Sequence, residues 1–348
     1  MLRLLVLARL YGENMTIKYH YTSLSGLFSI LNYQTLRFGN VSMMNDPNEL
    51  EMGKSFLICY LQDRYKTNHF DRKTIEGLMN PIMSIDSYIF CMSSVFEDLN
   101  QWRVYADNGN GVQLSINTEA LNKYVNLFLD SSMGKASKEG LRIPYRCDDL
   151  NQCHYISLSS NAGKFVVKEC QSKDALYSEL NDLWDKYSLD DYFDMHGEIL
   201  VTKNIKYQLE GKPITPEVMH RTTECFYILE DILKRIYATI KEDSYKVENE
   251  YRNIIYTDKT LLGMPNGHEF NSDGLCIKDI FSYYTNGYGI SSCIDIPISG
   301  EASFGNVIEE IKLGCNANKT NAKAIDDMLK YKWKRLNTPI THSSIVFR

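Results

Sequence analysis

Ile17-Lys18-Tyr19-His20-Tyr21-Thr22 alternates in pattern, and Leu24, Leu27, Phe28 and Leu31 then repeat at helical spacing. The first run predicts a short strand, with Ile17, Tyr19 and Tyr21 on one face and Lys18 and His20 on the other. The second predicts a helix, for which Thr22 or Ser23 supplies the N-cap. Neither run matches a common cofactor fingerprint. Working outward, Leu36-Arg37-Phe38 reads as another short strand. Asn45-Asp46-Pro47-Asn48-Glu49 reads as a helix start: Asp46 caps, Pro47 suits the first helical position and Glu49 closes a capping box. Asn45 is left to anchor the preceding turn.

The rest of the chain alternates irregularly between the two periods. Ser87 to Ser93 reads as a buried strand, and Gln101-Trp102-Arg103-Val104-Tyr105-Ala106 as a helical turn. The turn stops at Asp107-Asn108-Gly109-Asn110-Gly111, where glycine tolerates positive φ. Gly111 to Ile116 alternates like a strand. Leu176, Leu180, Trp184 and Tyr187 share a helical face, as do Phe226, Leu229, Leu233, Ile236 and Ile240. Residues 250–257 return to a strand. Strands follow near 290–298 and 306–313, then a helix near 319–335 and a last strand near 343–347. These elements predict one α+β domain over 15–348, with a central mixed or antiparallel sheet and a helical insertion at about 165–245. Residues 1–14 read as an extension that imitates a signal sequence poorly, because Arg9 interrupts a short apolar run.

Composition narrows the functional classes. The chain is 44% hydrophobic and 24% charged, the balance of a globular protein with a buried core. A net charge of −6 and the absence of a long basic stripe argue against nonspecific binding along a duplex. The 24 tyrosines suit an aromatic-lined polar cleft, or a wet core edge. Nine cysteines, an odd number with no Cys-x-x-Cys pair, predict reduced thiols and a cytoplasmic setting. Cys147, Cys153 and His154 have no standard zinc spacing, so no metal is expected. No window reaches the roughly 18 apolar residues of a membrane span, so no membrane partner is expected.

The ordered motifs carry a family resemblance. They are Tyr19-His20-Tyr21-Thr22-Ser23, Leu36-Arg37-Phe38, Asn45-Asp46-Pro47-Asn48-Glu49 and Phe90-Cys91-Met92-Ser93. Gln101 to Asp107 with Gly111-Val112, Glu248-Asn249-Glu250-Tyr251-Arg252 and Glu310-Ile311-Lys312-Leu313-Gly314 complete the set. In that order the chain resembles the bacterial domain of unknown function (DUF) 2971 family. It departs from that pattern mildly at Asn48, where the family usually has an aromatic residue, and at Tyr251, where Trp is common. More distantly, the early His strand and the late Glu strand resemble ADP-ribosyltransferases, DNA-modifying toxins among them.

That second resemblance implies NAD as substrate, an unidentified nucleic-acid or protein acceptor, and a role in phage defence or toxin biology. It implies that His20 bonds a ribose of NAD and that Glu250 bonds the nicotinamide ribose. Thr22, on the face of His20, adds a hydroxyl, and Tyr105 or Trp102 supplies the aromatic surface. The chemistry is coherent, because breaking the nicotinamide–ribose bond develops positive charge that a carboxylate stabilises. The same residues admit other readings. His20 and Tyr21 fit a hydrogen-bonded core. Glu250 and Arg252 alternate onto one strand face as an ion pair, with Glu248 expected on that face too. Trp102 and Tyr105 fit a helical core pair. Two further functions stay open: a non-enzymatic sensor domain, and a metal-dependent nuclease using Asp46, Glu49 and Glu250.

Overall fold

The computed structural model describes residues 17–44, 49–65, 85–133, 146–161, 164–168, 171–186, 190, 236, 238–258, 281–286, 289–298, 307–333 and 338–345. In chain order the elements are β1 (Ile17–Thr22), α1 (Leu24–Tyr33), β2 (Thr35–Asn40), α2 (Glu49–Tyr65), β3 (Ile85–Ser93), α3 (Leu99–Val104) and β4 (Val112–Asn117). Next come α4 (Thr118–Met133), β5 (Arg146–Gln152), β6 (His154–Ile156), β7 (Leu158–Asn161), β8 (Lys164–Val167), α5 (Gln171–Lys186) and β9 (Ile240–Glu242). The last are β10 (Glu250–Asp258), β11 (Phe281–Asn286), β12 (Gly289–Pro297), β13 (Ile308–Leu313), α6 (Thr320–Trp333) and β14 (Ile340–His342). The chain divides into two compact units. One comprises residues 1–44, 88–153 and 247–348, and the other 45–87 and 154–246.

The first unit is α+β. Its described strands form a sheet in the order β11-β12-β2-β3-β1-β4-β13-β14, with β10 joining β3 and β5. The β1–β4 and β4–β13 pairs are antiparallel, whereas β13–β14 is parallel. Ser23 sets the boundary between β1 and α1: its Oγ accepts the Gly26 N–H at 3.1 Å, as an N-cap should. Alternation then sorts β4. Val112, Leu114 and Ile116 enter the main core with Leu27 and Leu31 of α1, Leu121 and Val125 of α4, and Ile325 and Leu329 of α6. Burying these side chains is worth roughly 1.5–3 kcal/mol each before the entropy of ordering is counted. Two glycines let the β1–β4 end pack closely. A Cβ on Gly111 would overlap the Thr22 carbonyl oxygen, and one on Gly314 would overlap that of Gly109.

In the second unit, α2 buries Phe56 to Leu61. The Tyr60 ring lies 5.3 Å from that of Trp184 on α5. Arg64 of α2 bonds Asp185 at 2.9 Å and Asp190 at 2.6 Å. β6 and β9 pair in parallel, and β7 and β8 form an antiparallel pair.

Three expectations are corrected. Ile240 does not continue a helical face: it lies in β9, paired with His154, because the backbone there satisfies its hydrogen bonds on β6. The last strand is Ile340–His342, not 343–347. Ser343 N–H still bonds the Leu313 carbonyl of β13 at 2.7 Å, but the next two donors go to side chains, Ser344 N–H to Glu97 Oε1 and Ile345 N–H to Ser343 Oγ, so the ladder ends there. Glu248 does not alternate with Glu250 along a strand. It ends a 3₁₀ turn, and Asn249 between them has φ 44°, which breaks the period. Residues 1–14, Tyr187, Phe226, Leu229 and Leu233 lie outside the described residues.

Candidate functional site

The two faces of β1 meet different surroundings. His20, Lys18 and Thr22 look toward the helix-covered core. The register sets His20 opposite Leu114, and Leu114 opposite Ile311. The His20 ring stacks on Phe90 with centroids 4.5 Å apart, and Nδ1 lies 2.8 Å from the Cys91 carbonyl oxygen. Burial pushes this imidazole's pKa down, partly offset by the Cys91 contact. Lys18 places its ammonium 4.0 Å from the Tyr251 ring centre, and burial lowers its pKa too.

The opposite face is polar where a purely structural sheet would be apolar. One row runs across four strands as Ser93, Tyr19, Ser115 and Glu310. The next runs as Tyr21, Gln113, Lys312 and Thr341. Ser93, Gln113, Ser115 and Lys312 are all buried. Buried polar side chains demand an account that exposed ones do not. Lys312 Nζ lies 3.6 Å from Glu310 Oε1 and 4.8 Å from the Phe96 ring centre. Thr341 donates its hydroxyl to Glu310. Burial first, and the Glu310 carboxylate second, hold the Tyr19 phenol above its usual range.

Residues 94–98 and α3 border this face. Tyr21 donates its hydroxyl to Val95 O at 3.0 Å and accepts the Asp98 N–H at 2.9 Å, so it anchors both ends of that loop. Its ring meets Trp102 edge-on at 5.3 Å, with Ala106 and Ile345 in the same cluster. Burial pushes the Tyr21 phenol strongly up. Glu97 sits at φ 53°, an uncommon conformation for a side-chain-bearing residue. It is held there by its N–H on Gln113 Oε1, at 3.1 Å, and by its carboxylate on Ser344 N, at 3.2 Å.

The expected late carboxylates take different places. Glu250 Oε1 accepts from Arg252 Nε at 2.7 Å, with side-chain exposures of 7% and 1%. The same-face ion pair is thus present and buried. Tyr251 shares Lys18's face, so alternation turns Glu250 and Arg252 toward the polar side. Glu248 accepts the Tyr105 hydroxyl at 2.6 Å, and its carbonyl receives Ser93 Oγ and Gln101 Nε2.

The structure therefore brings Tyr21 beside Trp102, Tyr105 beside Glu248, and Glu250 beside Arg252. It turns His20 and Thr22 to the other face of β1. Asn45 and Asp46 lie outside the described residues, and Glu49 opens α2 in the second unit. Tyr19, Ser93, Glu310 and Lys312 stand in the sequence motifs without a site role, and Gln113 and Ser115 stand in none. The signal for the residues of β4 and β13 is the alternation of polar with apolar side chains, which by default reads as a solvated face. Among the described residues no three His, Cys, Asp or Glu side chains form a group suited to a metal ion.

The fold and this face define an α+β protein with a built polar surface on its central strands. Residues 101–253, less than half of the chain, are similar to the family described as "Protein of unknown function (DUF2971)". That segment runs from α3 to Asn253 of β10, taking in Trp102, Gln113 and Glu250. No curated protein and no solved structure matches the chain. No described helix is long and apolar enough to cross a membrane.

Proposed function

We propose that the polar face of the first unit binds NAD and transfers its ADP-ribose to a nucleic-acid or protein acceptor, in the manner of an ADP-ribosyltransferase. The observation that carries the reading is the pair of polar rows across β3, β1, β4 and β13, flanked by the rings of Phe96 and Trp102. Aromatic edges suit flat bases, and a buried cation suits phosphates. We assign the carboxylate role to Glu310, whose side chain keeps 25% exposure, and a supporting role to Glu250, which is committed to Arg252.

In the reaction the C1′–N bond breaks and its electron pair leaves with nicotinamide. Glu310 stabilises the positive charge that develops on the ribose. The acceptor's oxygen or nitrogen supplies the pair for the new bond to C1′ and gives its proton to solvent. Cys59, Cys91, Cys153, Cys293 and Cys315 are free thiols, which agrees with a cytoplasmic setting.

The test is nicotinamide release and thermal stability of the full chain with NAD. Binding raises apparent stability by about 2.7 kcal/mol at a hundredfold excess over the dissociation constant. Glu310→Gln should keep the stability shift and lose release. No shift at millimolar NAD would end this reading. A shift without release, even with cell extract as acceptor source, would favour the second reading, a sensor domain. The buried Glu250–Arg252 pair favours that reading, because it neutralises the carboxylate that the family analogy selects.

A further inference from the structure

We infer that Gln113, Trp102 and Lys312 together form a recognition point for a phosphate-type oxyanion. The inference rests on the polar face being the ligand face, but it does not require the ligand to be NAD.

The argument begins with the Gln113 amide. Its oxygen accepts the Glu97 N–H at 3.1 Å, so the orientation of the amide is set and Nε2 must act as a donor. Gln113 has 0% exposure, and Nε2 has no acceptor among the described residues. Trp102 repeats the pattern. It is also fully buried, and its Nε1–H has no acceptor among the described residues. Both residues flank Tyr21, Gln113 directly opposite it in the ladder and Trp102 edge-on to its ring. Buried donors are rarely left unpaired, and here two residues beside the same Tyr21 each carry one.

The charges nearby decide the kind of acceptor. Lys312 stands opposite Gln113 on β13 and is 9% exposed. The neighbouring carboxylates are turned to other partners, Glu97 to Ser344 N–H and Glu310 to Thr341 and Lys312. Two neutral donors without an acceptor among the described residues, and an ammonium whose Glu310 partner stands 3.6 Å away, complement an anionic oxygen. A purely structural face would have filled these positions with Val or Leu, as β4 does on its other side.

The probe is inorganic pyrophosphate, titrated calorimetrically into the full chain at fixed ionic strength, with NAD run in parallel. Trp102→Phe removes one donor and keeps an aromatic ring. Gln113→Glu keeps the acceptor for Glu97 and replaces the donor, and Lys312→Met removes the cation. Each should weaken pyrophosphate binding by about tenfold or more. Lys332→Ala, on the surface of α6, should leave it unchanged. Equal binding by wild type, Trp102→Phe and Lys312→Met would overturn the inference, because surface lysines would then explain it. If Gln113→Glu does not fold, the other two variants carry the test. Pyrophosphate binding with this residue dependence but no NAD binding would keep the inference and remove NAD. NAD binding indifferent to all three variants would remove the inference and keep NAD. Absence of both would remove both.

Discussion

Glu250→Gln should unfold the first unit far more easily, and its cost can be worked from the buried pair. Arg252 is 1% exposed and its Nε lies 2.7 Å from Glu250 Oε1. Neutralising the carboxylate leaves a guanidinium in a site that water cannot reach. Breaking such a pair from one side costs about 3–5 kcal/mol, a large part of the roughly 5–15 kcal/mol that holds a domain together. At an m-value of about 2 kcal/mol/M, a loss of about 4 kcal/mol moves the urea midpoint down by about 2 M. The assay is tryptophan fluorescence during urea unfolding. Of the three tryptophans, Trp102 and Trp333 belong to the first unit and Trp184 to the second, so a Trp184→Phe background isolates the first. Glu250→Gln with Arg252→Met should be more stable than Glu250→Gln alone, because the buried guanidinium is removed together with the carboxylate it pairs with. A single-variant loss below about 1 kcal/mol at unchanged m would refute the reasoning, since that is the worth of an exposed pair. Loss of activity in Glu250→Gln is then informative only with the fold measured beside it.

Two further expectations follow from the same strands. His20 has its pKa lowered by burial, so between its folded value and the ordinary value near 6.5 the unfolded chain binds the extra proton. Stability of the first unit should therefore be complete above about pH 6.5 and fall as the pH drops through that window. In His20→Phe that part of the pH dependence should vanish, and an unchanged slope would show that His20 does not carry it. Tyr21→Phe removes the hydroxyl that serves Val95 O and Asp98 N–H, which should cost about 1–3 kcal/mol and speed amide exchange at Asp98. Exchange at Asp98 equal to wild type would argue that other contacts hold the loop.

The local elements were legible because their periods are local. β1, the Ser23 cap, the alternation in β4 and the helix near 319–335 each follow from side-chain spacing on one stretch of backbone. The same spacing correctly set Tyr19 and Tyr21 against His20, and Glu250 with Arg252. It misplaced Glu248, because a single residue at positive φ ends a strand without altering the pattern around it.

Local spacing thus sorts the side chains of each strand onto its two faces. Which face is covered, and which rows align across strands, follows from long-range pairing. Tyr19 meets Glu310 through Ser115, and Tyr21 meets Lys312 through Gln113, across separations of nearly 300 residues. Alternation makes Gln113 and Lys312 look solvated. In the fold both are buried, Lys312 with its ammonium 4.8 Å from the Phe96 ring centre, because a polar group's surroundings depend on what packs over it, and that is contributed by distant chain.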